Sequence, residues 1–231
     1  MPRISKAKQR VILVIPAYNE EKTIGKLIKE SKRYCDEILV VSAKNARDKT
    51  REIAKSLRVK VLIDNGKGKG AGMRVAIDSI KEGIIVFMDA DGSHIPSDIP
   101  KLVSSIKKGK YDMVIGSRFL GGSEEFHGDF DKFLRVFFSM SIAVIINLRF
   151  RSSIQDTQNG FRAIRAEVAK KLDLKSNIFD IETEMVMKCL KKKYRILEVP
   201  SKELKREYGK SGINIFPMGF VYVWRVFKNL F

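Results

Sequence analysis

The chain has little with which to cross-link itself or to hold a soft metal. Its 231 residues include two cysteines, Cys35 and Cys189, far apart and in no metal-type spacing, which excludes a disulfide framework and a zinc site. Two histidines argue against an imidazole metal centre. No apolar run reaches the roughly twenty residues of a comfortable membrane span; the densest, residues 133–148, is shorter and contains Arg135. The basic start, MPRISKAKQR, leads into a short apolar stretch, so a cleaved leader is not expected, and a reducing cytoplasmic setting is. Acidic residues are also scarce, 27 against 45 Lys and Arg, for a net charge of +18. That excess calls for an anionic partner: nucleic acid, an anionic membrane surface or a phosphorylated substrate. No recognition helix, RNA-binding motif or zinc module accompanies it, so nucleic acid is not the expected partner.

What is present is an alternation. An apolar fraction of 44% suffices for one core. Short apolar runs at residues 11–15, 38–41, 59–63, 84–88 and 113–116 read as buried strands. Between them lie helical periods carrying Ile24, Leu27 and Ile28, then Ile53, Ala54 and Leu57, then Met73, Ala76, Ile77 and Ile80, then Ile99, Leu102, Val103 and Ile106. Such alternation predicts an α/β fold with a doubly wound, mostly parallel sheet. Ligands of such sheets sit beyond the carboxyl ends of the strands, and the unusual loops fall there: 16–20, 42–48, 65–70, 89–94 and 117–122.

The strand at 84–88 ends in Asp89-Ala90-Asp91-Gly92. Two carboxylates this close are costly to bury but sit well at a rim, where a divalent cation neutralises them and a diphosphate completes its coordination. Alone, the pair also fits an acidic turn capping the next helix. GKGKGAG at 66–72 is neither a P-loop nor a dinucleotide fingerprint. It reads either as a flexible turn or as a loop whose backbone N–H groups and Lys67 or Lys69 meet phosphate.

The second half changes character. The apolar helix at 131–149 fits burial or a place against a bilayer better than a span. Residues 155–162 read as a polar loop, 181–192 as an amphipathic helix and 194–199 as an edge strand. Residues 201–212 carry Lys202, Lys205, Arg206 and Lys210 with little apolar content, and are expected to be disordered or ordered by a ligand. The end, 213–231, is unusually apolar: either a helix packed on the core or an interfacial one, with Trp224 and Tyr222 at headgroup level.

Together these segments resemble the GT-A family 2 glycosyltransferases, especially the dolichyl- or polyprenyl-phosphate sugar synthases. The resemblance covers roughly residues 11–212 and is carried by VIPAYNEEKTI, GKGKGAGMRVAI, VFMDADGSHIPSDIPKLV, VIGSRFLGG and QDTQNGFRAIR, five segments in order. It implies a catalytic domain over 1–212, with 213–231 as an interfacial helix, and inverting transfer of a sugar, mannose or glucose, from a GDP- or UDP-linked donor with Mg2+ or Mn2+. By the same resemblance Pro16, Tyr18, Glu20, Lys69 and Ala90 contact the nucleotide-sugar. Asp89 and Asp91 bind donor and metal and, with Arg118, are catalytic; Ser93 stands where relatives place a metal-assisting Gln. Arg118, Arg135, Ser139, Arg206 and Lys210 would meet the phosphate of a dolichyl or polyprenyl acceptor. Asp156 is a base only if the acceptor is a hydroxyl, and otherwise a brace. Relatives carry an Asp after the second strand where this chain has Ser42-Ala43; Asp48 or Asp64 could substitute. The expected location is peripheral, on the cytoplasmic face of the cell membrane.

Overall fold

The structure, a computed structural model, describes residues 9–125, 130–208, 226, 227 and 230, the side chains of 130–133 and 135 excepted. Seven strands form one sheet: β1 (Val11–Ala17), β2 (Glu37–Ser42), β3 (Lys60–Ile63), β4 (Ile84–Phe87), β5 (Met113–Ser117), β6 (Arg162–Arg165) and β7 (Ile196–Pro200), in the order β3-β2-β1-β4-β6-β5-β7. The first four pair in parallel, as does β5 with β7, while β6 runs antiparallel between β4 and β5. Helices α1 (Ile24–Ser31), α2 (Thr50–Ser56), α3 (Lys69–Ser79), α4 (Ile99–Lys107), α5 (Arg118–Gly121), α6 (Phe130–Phe150), α7 (Ala166–Lys171) and α8 (Ile181–Lys191) connect or cover the strands.

Period-two alternation divides the core into two layers. Val11, Leu13 and Ile15 of β1 pack with Ile24 and Ile28 of α1, Ala54 of α2 and Leu102 of α4. Ile12 and Val14 face the other side, with Met73 of α3, Ile142 and Ile146 of α6 and Met185 of α8. Val226 and Leu230 are also buried in this second layer, so that part of the apolar C-terminal segment is core, while Phe227 is exposed; the other residues of 213–231 lie outside the described residues.

Three expectations need correction. β1 does not stop before Pro16 but continues to Ala17, paired with β2. Its ladder with β4 ends at Val14, so the missing N–H of Pro16 falls on an unpaired side. The polar loop predicted at 155–162 leads straight into β6, a central strand of sequence RAIR in which all four residues are buried. Arg162 is tolerated there because its guanidinium donates to three carbonyls, Asn159 O, Thr157 O and Glu182 O. Residues 201–207 of the segment 201–212, expected to be disordered or ordered by a ligand, are bonded through their backbone along the mouth of the sheet; 209–212 lie outside the described residues.

Candidate active site

β4 delivers Asp89 and Asp91 to the carboxyl edge, and the two carboxylates have different partners. Asp89 accepts an ion pair from Lys69 Nζ at 2.5 Å, and the same ammonium lies 2.6 Å from Glu182 Oε1. Lys69 stands at the start of α3 and Glu182 in the first turn of α8. Burial alone would raise Asp89, but Lys69 and the nearby His94 hold its carboxyl well below the usual range. For Lys69, burial is outweighed by Asp89 and Glu182, which push it above the usual lysine range. Lys69 is therefore a fixed cation between two anions. His94 stacks on Phe161 at 5.1 Å, its Nε2 3.7 Å from Asp89 Oδ2.

Gly160 makes this packing possible. A Cβ there would lie 2.6 Å from Asp89 Oδ2 and 2.7 Å from Lys69 Nζ. The constraint is contact, not backbone conformation.

Asp91 is almost buried. Its Oδ1 accepts from Ser93 N at 3.1 Å and Ser93 Oγ at 2.7 Å, and its Oδ2 lies 3.2 Å from Arg206 Nη1. Ser93 thus orients Asp91. Ala90 is buried between the carboxylates. Glu20, after β1, is pushed up to about 7, first by burial and then by Asp91 and Asp89, against a hydrogen bond from Thr23 and the charge of Arg206. Tyr18, beside it, is exposed, and Pro16 is half-buried.

Hard oxygen donors suit Mg2+ or Mn2+. No group of three or more His, Cys, Asp or Glu able to hold an ion occurs among the described residues. Of the two carboxylates, Asp89 is paired with Lys69 and Asp91 with Arg206.

The opposite wall sets one arginine between two carboxylates. Arg118, opening α5, makes paired contacts to Asp156 and has Glu203 Oε1 3.5 Å from Nη1. Asp156 is fully buried and also accepts from Arg118 N and Asn159 N. Burial works against its charge, yet Arg118 holds it below the usual range. Each carboxylate oxygen already accepts from a donor, and Arg118 lowers its affinity for a proton. Ser139 is buried in α6, its Oγ without a partner among the described residues. The side chain of Arg135 and all of Lys210 lie outside the described residues.

After β7, residues 201–207 cross the mouth as a strap. Ser201 N donates to Ser117 O, Leu204 N to Ser93 O and Glu207 N to Asp91 O. Lys205 N and Arg206 N donate to Glu124 and Glu125, and Glu207 pairs with Lys26.

The loop after β2, which lacks the expected Asp, is held differently. Arg51 donates to Ser42 Oγ at 2.9 Å and to Lys44 O at 3.0 Å. Asp64 Oδ1 accepts from Lys44 N and Gly66 N, whereas Asp48 accepts from Glu21 N and Thr50. Asp64 thus holds the start of this loop, and Asp48 ties its end to Glu21 and Thr50.

A model of the family described as Glycosyl transferase family 2 matches residues 12–173. The chain belongs to that family. This family 2 glycosyltransferase is 34% identical to an uncharacterised protein of Methanocaldococcus jannaschii, over 95% of this chain and 91% of that one. It is 33% identical to the dolichol-phosphate mannosyltransferase of Pyrococcus furiosus, over 83% of this chain but 55% of that longer protein. Glucosyl-3-phosphoglycerate synthase of M. tuberculosis, at 19% identity, shares the GT-A fold: TM-score 0.75 over 97% of this chain and 82% of that one. The same enzyme has been crystallised with Mn2+, uridine diphosphate and phosphoglyceric acid.

Proposed function

We propose that this glycosyltransferase moves a hexose, mannose or glucose, from a nucleotide-sugar to a dolichyl or polyprenyl phosphate, with inversion and with Mg2+ or Mn2+. One observation carries the reading: the guanidinium groups of Arg118 and Arg206 reach the edge that holds Asp89 and Asp91. Two arginines, each held by a carboxylate of this chain, thus stand beside the donor–metal edge, where an acceptor phosphate would meet them. A lipid monophosphate is already ionised, so it needs cations to position it and no general base. The full engagement of Asp156 supports the same conclusion, and so does the Pyrococcus relative's name.

Asp91 would anchor the cation, which when bound neutralises the donor diphosphate and stabilises it as leaving group. Lys69 and Glu182 fix Asp89 beside it. Ser93 fixes Asp91, and Asp156 fixes Arg118. The donor is GDP- or UDP-linked; at the β2 loop, where relatives carry a carboxylate, this chain has Ser42, held by Arg51.

No described helix is long and apolar enough to cross a membrane. The solvent-facing side of α6 is nevertheless apolar, with Phe137, Phe138, Met140, Val144, Ile145 and Leu148 exposed. That face, with the net positive charge, supports peripheral attachment to an anionic surface, on the cytoplasmic side.

The test is a screen of GDP- and UDP-sugars against dolichyl and undecaprenyl phosphate, with Mn2+ and with EDTA, for the intact protein and Asp91→Ala. Transfer to a lipid phosphate that needs Mn2+ and Asp91 is expected. Transfer only to hydroxyl acceptors would overturn the acceptor, and full activity in EDTA would overturn the metal.

A further inference from the structure

Asp91 has two carboxylate oxygens and two partners. Ser93 takes Oδ1 with its backbone N–H and its hydroxyl, while Arg206 Nη1 stands 3.2 Å from Oδ2. A cation bound to Asp91 from the mouth would need that second oxygen. Arg206 holds it from a strap fixed at both flanks: Leu204 N donates to Ser93 O at 2.8 Å, Glu207 N to Asp91 O at 3.3 Å, and the Glu207 carboxylate pairs with Lys26 across the gap to α1. The guanidinium is about a third exposed, while the carboxylate is nearly buried. A buried anion near Asp89 and Glu20 requires a positive partner, and the fold supplies one from its own chain.

We propose that Arg206 and the divalent cation compete for Asp91 Oδ2, so that loading the metal releases Arg206, and the strap with it, towards the acceptor. The inference rests on the metal-and-acceptor reading given above and adds an order of events to it. Arg206 neutralises the donor carboxylate first. It becomes available to a lipid phosphate only once a cation has taken its place. Coupling of this kind is reciprocal: whatever loosens the strap tightens metal binding, and whatever draws Arg206 to an anion does the same. The acceptor-side charge therefore appears only in an enzyme whose donor side is loaded, which disfavours an acceptor seated before its donor.

Binding of Mn2+ alone to the full-length protein, followed by loss of the free-ion EPR signal, tests this without reference to turnover. Arg206→Gln is expected to bind Mn2+ about tenfold more tightly than wild type, the size of one charge-assisted hydrogen bond. Lys205→Gln, on the same strap but exposed, is expected to match wild type. Lys26→Ala, which frees the Glu207 end without touching either carboxylate of the site, should tighten binding by a smaller factor, and it carries the test should Arg206→Gln fail to fold. Equal or weaker Mn2+ binding in Arg206→Gln, or in Lys26→Ala in its stead, overturns the competition. Lipid-phosphate transfer assayed in parallel separates the two failures. Metal-dependent transfer with unshifted Mn2+ affinity sinks the competition only, whereas transfer undiminished in EDTA sinks the metal reading beneath it.

Discussion

Arg118 grips Asp156 through two parallel contacts, Nε to Oδ2 at 2.8 Å and Nη2 to Oδ1 at 2.9 Å, and its own backbone N–H adds a third at 3.0 Å. A bidentate pair of this kind sets direction as well as charge. It aims the outer edge of the guanidinium at the mouth of the sheet, where Glu203 lies 3.5 Å from Nη1.

Asp156→Asn would take its bidentate counter-ion from a largely buried arginine, leaving the more distant Glu203, and is expected to cost about 3 kcal/mol of stability. Its pH signature follows from the depressed carboxyl. A folded-state value below the unfolded one, about 3.9 for Asp, contributes stability that is fully present above the unfolded value. That stability is lost as pH falls through the folded value. The gap between wild type and Asp156→Asn in urea midpoint should be constant from roughly pH 5 to 8 and close only in stronger acid. A gap that instead opens or closes near neutrality would mean that Asp156 titrates there and could serve as a base.

Lys69 between Asp89 and Glu182 yields a second expectation. Lys69→Met leaves the buried Glu182 and the half-buried Asp89 without their shared cation, whereas Glu182→Gln removes one of these charges and leaves the Lys69–Asp89 pair intact. In a double-mutant cycle by urea denaturation, Lys69→Met should be the more damaging single change. The double variant should be more stable than the two losses predict, with a coupling of about 1–3 kcal/mol. Strict additivity would show that Glu182 does not feel the ammonium.

The parts of this molecule that were legible in the sequence are those where one residue type has one physical use. Apolar runs bounded by Pro, Gly and Asp marked β1, β2, β4 and β5, and alternation marked β7 at the sheet's edge. The D-x-D loop was legible because paired carboxylates after a buried run have few uses. β6 was not, since RAIR holds only two apolar residues, and Arg162 is buried by carbonyls contributed from residues 157, 159 and 182. Glu182 was missed because an acid in the first turn of a helix is common merely for the helix dipole; only the fold brings it against Lys69. The strap looked unstructured because its bonds are main-chain donors to Glu124, Glu125, Ser93 and Asp91, and side-chain composition says nothing about those.

Gly160 is a third such residue, with a sharp test. The atoms that a Cβ would meet, Asp89 Oδ2 and Lys69 Nζ, are ends of side chains, so Gly160→Ala can fold by pushing the pair aside. The cost to stability is expected within about 1–3 kcal/mol. Transfer should fall on the order of a hundredfold, because the carboxylate that faces the donor is displaced by a substantial part of an ångström. Wild-type turnover in a folded Gly160→Ala protein would mean that Asp89 has no positional role.

The apolar face of α6 bears the membrane prediction. Ile142, Ala143 and Ile146 turn inwards, while Phe138, Val144 and Leu148 are respectively 46%, 55% and 76% exposed. A core helix need not present such a surface to water, and no described segment covers it. Burying a side chain of this kind is worth roughly 1.5–3 kcal/mol, so replacing any one of the three by Ser should weaken attachment to anionic liposomes about tenfold or more. Each replacement removes no core contact, so the urea midpoint should stay close to wild type. Deleting 213–231 would differ, because it takes Val226 and Leu230 out of the second core layer and should destabilise the whole domain. Raised salt should weaken attachment of the intact protein in part, since the basic residues act through screened charge and the α6 face does not. If the Ser variants keep wild-type liposome binding, or the intact protein ignores liposomes altogether, α6 is not the attachment surface.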